Sequence, residues 1–177
     1  SFRQYSKRMA AAYNETTHIK TGEKTNPEKA FRQTVALAKA KNADVIALLG
    51  DIVSYPSERA VEFVQEVMRE SGIPYYYTCG NHDWHYEGME GTSHELRKKW
   101  REERLSQLFG KYDPVAYGVE HKGVRLLFFD TSNYEIEPSQ LDFIRKEAKS
   151  GVPFILFQHI PLYAPSRSVA YGIGHPK

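Results

Sequence analysis

Four short apolar runs in this chain each break off at a residue that can bind a ligand or move a proton. Ala47–Gly50 (ALLG) runs into Asp51, and Tyr75–Cys79 (YYYTC) runs into Gly80-Asn81-His82-Asp83. Leu126–Phe129 (LLFF) runs into Asp130, and Ile155–Gln158 (ILFQ) runs into His159. Runs of this length without alternation mark strands covered on both faces. Helical signals lie between them. Asn26-Pro27 pairs an N-cap side chain with Pro at the first helical position, and Ala30, Phe31, Thr34, Val35 and Ala38 carry the helix to about Lys41. A second helix covers Ser57–Ser71 and stops at Gly72. Thr92 and Glu95 are spaced as a capping box for a third, which runs to about Phe109, and a fourth follows Pro138. Val115–Glu120 and Val124–Phe129 flank His121-Lys122-Gly123 as a hairpin. Alternating strands and helices predict an α/β class with a largely parallel sheet plus that hairpin. Ligand sites in such sheets form at the carboxyl ends of the strands, so the polar residues ending the four runs are predicted to converge on one edge.

Composition narrows the classes of function. The 177 residues are one domain's worth, with a core from about Glu28 to Tyr163. Lys and Arg number 24 against 22 Asp and Glu, so the basic footprint of a nucleic-acid binder is absent. No apolar run approaches the ~20 residues of a membrane helix, and no signal-peptide pattern is present, so a cytoplasmic location is the default expectation. The single cysteine, Cys79, excludes an intramolecular disulfide and a cysteine-rich zinc site; it reads as a small buried hydrophobe.

Asp, Asn and His at the strand ends are oxygen and nitrogen donors suited to Zn, Mn or Fe, whereas carboxylates and carbonyls alone would favour Mg or Ca. Gly50-Asp51, then Gly80-Asn81-His82-Asp83, then His159 with Pro161, in this order and each after an apolar strand, resemble the calcineurin-like metallophosphoesterase superfamily. The resemblance implies a four-layer αββα sandwich holding two divalent metal ions (Mn, Fe or Zn) and acting on a small phosphorylated substrate. It implies that Asp51 bridges the metals and that Asn81 and His159 ligate the second. It makes His82 the proton donor to the leaving oxygen, with Asp83 orienting its ring. Trp84 and His85 follow the loop and are candidates to line the substrate pocket. The reaction implied is hydrolysis of a phosphomonoester or phosphodiester; the alternatives are a nuclease of the same superfamily or a degenerate domain that binds without turnover.

Two elements of the resemblance are incomplete. Where it calls for Asp-x-His, the chain has Thr16-Thr17-His18, which makes His18 a weak metal candidate, and the preceding Lys7–Tyr13 reads as helix. Where it calls for Gly-His-x-His, the chain has Gly174-His175-Pro176-Lys177. The expectation is that both motifs lie outside these 177 residues and that the sandwich is truncated at both ends. Asp130 reads as a turn former with Thr131 and Ser132. The basic residues of the third helix, Arg97 to Arg104, read as a solvated face among Glu102 and Glu103.

Overall fold

The computed structural model describes residues 16–18, 20–85 and 89–162. Lys7–Tyr13 and the Gly174-His175 segment therefore lie outside the described residues. A short antiparallel hairpin, β1 (Thr16–Thr17) with β2 (Lys24–Thr25), precedes the first helix and was not anticipated by the sequence pattern. Helix α1 (Pro27–Ala40) starts where expected: the Asn26 side chain accepts from Lys29 N–H and Pro27 occupies the first turn. Strand β3 (Ile46–Leu49), helix α2 (Glu58–Ser71) and strand β4 (Tyr75–Thr78) form a parallel β–α–β unit. Ser57 caps α2, and Gly72 ends it in the left-handed conformation that glycine adopts without a Cβ penalty.

The predicted third helix is wound in three pieces. Helix α3 (Ser93–Trp100) carries the Thr92–Glu95 capping box, the chain widens into a π-helical segment over Arg101–Leu105, and α4 (Ser106–Phe109) completes it. A π-turn shifts the faces of a helix, which periodicity in sequence does not reveal. Strands β5 (Ala116–His121) and β6 (Val124–Phe129) form the hairpin, turning through Lys122 and Gly123, both at positive φ. Helix α5 (Pro138–Lys149) then leads to β7 (Phe154–Gln158), which pairs parallel to β6.

The strands do not make one sheet. β3 and β4 form a parallel pair, while β5-β6-β7 form a mixed three-stranded sheet. The two sheets face each other through aromatic side chains, with helices outside: a four-layer αββα sandwich. On the inner face of β5-β6-β7, Tyr117, Phe128 and Phe157 share one rung and stack at 4.9 Å, with Tyr112 adding a ring 4.6 Å from Tyr117. Tyr76 of β4 meets Phe128 across the interface at 5.5 Å. The alternate residues point outward: Tyr77 packs on Phe109 of α4, and Phe129 packs edge-on against Phe143 of α5. Among the described residues β7 lies at the edge of its sheet and Ile155 is half exposed, so this run is not covered there on both faces as its composition predicts. No helix among the described residues is long and apolar enough to cross a membrane.

Tyr117 supplies one of the polar ties between the sheets, beside the bond from Thr78 Oγ1 to the Phe129 carbonyl at 2.7 Å. The Tyr117 hydroxyl accepts from Tyr77 N–H at 2.9 Å and donates to Tyr77 C=O at 2.8 Å, standing in for a neighbouring strand on the open side of β4. Tyr77 is fully buried, so losing this partner strands two backbone groups. Tyr117→Phe is expected to lower the unfolding free energy by about 1–3 kcal/mol, read as a lower urea midpoint at unchanged m-value; an unchanged midpoint would show that the hydroxyl carries no strain of the sandwich.

Candidate metal centre

Two turns meet at the carboxyl edge of β3 and β4. The first passes through Gly50 (φ +83) and Asp51 (φ 52); a left-handed Asp is uncommon but tolerated, because its short polar side chain can bond locally. The second is Gly80–Asp83. A Cβ on Gly50 would lie 2.3 Å from Gly80 N and 2.7 Å from His159 Nδ1. A Cβ on Gly80 would lie 2.2 Å from both Asp51 N and Asp51 Oδ1. Only glycine at both positions lets the turns touch.

Asp83 locks this contact. Its carboxylate is fully buried and accepts four hydrogen bonds: from Asp51 N–H (3.0 Å), Val53 N–H (2.9 Å), Gly80 N–H (2.8 Å) and the Tyr77 hydroxyl (2.7 Å). Burial pushes its carboxyl up to about 6, against the pull of these donors, so it is anionic at neutral pH. These bonds correct the expectation that Asp83 orients the His82 ring: its oxygens are directed at the backbone of the first turn instead.

The clamp brings the polar strand ends together. Asp51 Oδ1 accepts the His82 backbone N–H at 3.0 Å and faces His159 Nε2 at 3.4 Å. His159 Nδ1 lies 2.8 Å from Leu49 C=O, so a hydrogen there donates to the carbonyl and Nε2 is left turned toward Asp51. Burial would raise the Asp51 carboxyl, but the contacts with His159 and the His82 N–H outweigh it and hold it below the usual value. Burial likewise opposes charge on His159, yet Asp51 and the Leu49 carbonyl together raise its pKa. Asn81 sits between Gly80 and His82, both in contact with Asp51, and its residue is half-buried. His82 is exposed, free to reach a bound molecule.

The remaining expectations fare differently. Trp84 does not line a pocket: it is 3% exposed, and its indole N–H donates to Ser132 Oγ at 2.8 Å, because the residue after the loop turns into the core. His85 stays beside the site, its ring 5.8 Å from Trp84, and burial followed by the charge of nearby His82 lowers its pKa. His18 makes its contacts elsewhere. It lies in the β1–β2 turn, where Nδ1 accepts from Thr21 N–H at 3.2 Å, in a groove with Lys29, Gln33 and Leu37 of α1. Arg97 and Arg101 are not on a solvated face: Arg97 is 5% exposed, and Arg101 donates to Asp130 at 2.9 Å. Asp130 is the turn former that its sequence suggests, accepting the Ser132 N–H.

The donor set suits a divalent metal in part. A carboxylate and an imidazole 3.4 Å apart have the spacing of two donors each ~2.0–2.2 Å from one ion, and the Asn81 amide oxygen is a third donor group in the adjoining turn. Among the described residues no group of three or more His, Cys, Asp or Glu gathers around a possible metal.

The family model described as calcineurin-like phosphoesterase matches residues 17–176. This chain belongs to the calcineurin-like phosphoesterase family. It is also 29% identical over 122 residues to a Fibrobacter succinogenes protein described as a probable cyclic nucleotide phosphodiesterase, covering 68% of this chain and 43% of that protein. The chain thus spans about two-fifths of the length of that curated relative. In fold it is similar to the crystal structure of a dimetal phosphatase from Danio rerio, with a TM-score of 0.60 at 13% identity, over 86% of this chain and 68% of that one.

The clamp generates a direct test. Asp83→Asn turns an amide N–H₂ toward donors that now find an oxygen, leaving buried N–H groups without acceptors. The expected cost is about 2–4 kcal/mol, read as a fall in Tm; a variant of wild-type stability would show that the turns meet without the carboxylate.

Proposed function

We propose that this chain is the core of a metal-dependent phosphoesterase, hydrolysing a phosphomonoester or phosphodiester of a small molecule with two divalent ions. The observation that carries this reading is the meeting of three strand ends at Asp51 Oδ1, which faces both the His82 N–H and His159 Nε2. In this reading Asp51, Asn81 and His159 would hold metal, with Mn, Fe or Zn as the candidates for that mixed oxygen and nitrogen set. When bound, such a metal pair supplies Lewis-acid stabilisation of phosphoryl oxygens and a nucleophilic water at neutral pH.

The chain's own residues supply the rest. The Asp51 carboxylate contributes the negative charge that makes two cations in one place tolerable. His159, with Nδ1 on the Leu49 carbonyl, presents a fixed Nε2. His82, exposed beside Asp51 and held there through its backbone N–H, can turn its ring toward the leaving oxygen and protonate it as the ester bond breaks. An alkoxide leaves poorly without that proton, whereas a nitrophenolate needs little help.

Two outcomes test this division of roles. Asp51→Asn is expected to lose metal occupancy by elemental analysis, while His82→Ala keeps its metals and loses rate by ~10²–10⁴-fold, less for acidic leaving groups. A His82→Ala enzyme with an emptied metal site, or with the same defect on every leaving group, contradicts the assignment.

The pH dependence of metal binding follows from the His159–Asp51 contact. A metal takes the neutral imidazole, so it must displace a proton that Asp51 helps to hold. Below the raised pKa of His159, Mn affinity measured by calorimetry is expected to fall about tenfold per pH unit, with proton release on binding; affinity flat across that range would remove His159 from the metal set.

A further inference from the structure

Past the end of β6, the segment Asp130-Thr131-Ser132 is almost entirely buried, at 1%, 2% and 0% exposure. Each residue has a separate polar task. Thr131 Oγ1 accepts the backbone N–H of Ile160, the neighbour of His159, at 3.2 Å. Ser132 Oγ accepts the indole N–H of Trp84, two residues beyond His82, at 2.8 Å. Asp130 holds the segment still: its Oδ1 takes both the N–H and the hydroxyl of Ser132. Its Oδ2 takes Arg101 Nη1 at 2.9 Å, with Arg97 Nε 3.9 Å away. From the other side, Gln140 of α5 donates to the Asp130 carbonyl at 2.9 Å.

Burying two arginines against carboxylates seldom adds stability over apolar packing of the same volume. Among the described residues, Arg97 Nη1 and Arg101 Nε are moreover buried without a hydrogen-bond partner. What the cluster does provide is position, since its hydrogen bonds are directional and run from Arg101 of the π-helical segment to the residues following His82 and His159. We infer that Asp130–Ser132 is a positioning segment with two independent arms: Ser132 fixes the proton-donor side through Trp84, and Thr131 fixes the His159 side through Ile160. The inference rests on the roles proposed above for His82 and His159. It makes the helical stretch that carries Arg97 and Arg101 part of the working site without touching substrate.

The two arms separate experimentally in the Mn-loaded enzyme. Ser132→Ala is expected to lower kcat by about 10- to 100-fold on alkyl phosphate esters and far less on nitrophenyl esters, with KM and Mn affinity unchanged. Its loss is absent when His82 is already Ala. Trp84→Phe cuts the same bond from its other end and should reproduce the pattern, which keeps the arm testable if Ser132→Ala fails to fold. Thr131→Val is expected to weaken Mn binding by about tenfold in calorimetry, leave the leaving-group dependence intact, and add its loss to that of His82→Ala. Equal losses from both arms on every substrate with Mn affinity unchanged, or a Ser132→Ala loss that adds fully to His82→Ala, would overturn the inference and reduce the segment to packing. If His82→Ala itself shows no leaving-group dependence, the proton-donor role fails, while the additivity of the double variants still decides for or against the arms.

Discussion

A buried carboxylate that accepts three backbone N–H groups and a hydroxyl is what allows the ends of β3 and β4 to share one site. Without Asp83, the Asp51, Val53 and Gly80 amides would be buried donors facing one another, and the first turn would have no reason to keep Asp51 in a left-handed conformation. With it, the peptide geometry at Asp51 is fixed from behind, and the side chain is left to face His82 N–H and His159. The cost of hiding the charge shows in the raised Asp83 carboxyl, and the donors around it recover enough to keep it ionised at neutral pH. Gly50 and Gly80 complete the arrangement by removing the atoms that would collide.

The two sheets then act as supports for different parts of the site. The parallel β3–β4 pair delivers Asp51 and the Gly80–Asp83 turn, while β7 delivers His159 from the second sheet. The contact from His159 Nδ1 to the Leu49 carbonyl spans the two sheets at the site itself. Deeper in the sandwich, Tyr117 clasps the Tyr77 backbone, and Tyr77 in turn gives its hydroxyl to Asp83. Tyr77 therefore links sheet packing to site geometry: its backbone is clasped by Tyr117 of the other sheet and its phenol holds the turn.

Most of the element order was legible because it is written in local chemistry. Asn26-Pro27, Ser57, Gly72 and the Thr92–Glu95 box begin or end helices through contacts within a few residues, and each does so in the structure. Convergence of Asp51, the Gly80–Asp83 turn and His159 was legible as strand ends meeting, although His159 arrives from the second sheet and Asp130, at the end of the remaining run, turns to Arg101 and Ser132 instead. The partners of buried polar groups were not. Asp83 sits next to His82 in sequence, yet two of its four bonds run to a turn about thirty residues away. Arg97 and Arg101 carry the composition of a solvated face, and only the tertiary fold supplies Asp130 to draw them inward. Trp84 looked available for a pocket because its acceptor, Ser132, is forty-eight residues distant. Periodicity also missed the π-helical stretch at Arg101–Leu105, and it did not distribute the strands between two sheets.

The central claim is that the clamped turns place Asp51, Asn81 and His159 on common metal. Anomalous diffraction at the Mn edge from crystals grown with Mn tests it most directly. The account predicts a peak within ~2.0–2.4 Å of a carboxylate oxygen of Asp51, the side-chain oxygen of Asn81 and a ring nitrogen of His159, with the Asp83 oxygens still on the backbone amides. A peak that leaves out Asp51 or His159, or that is ligated by Asp83, would contradict it.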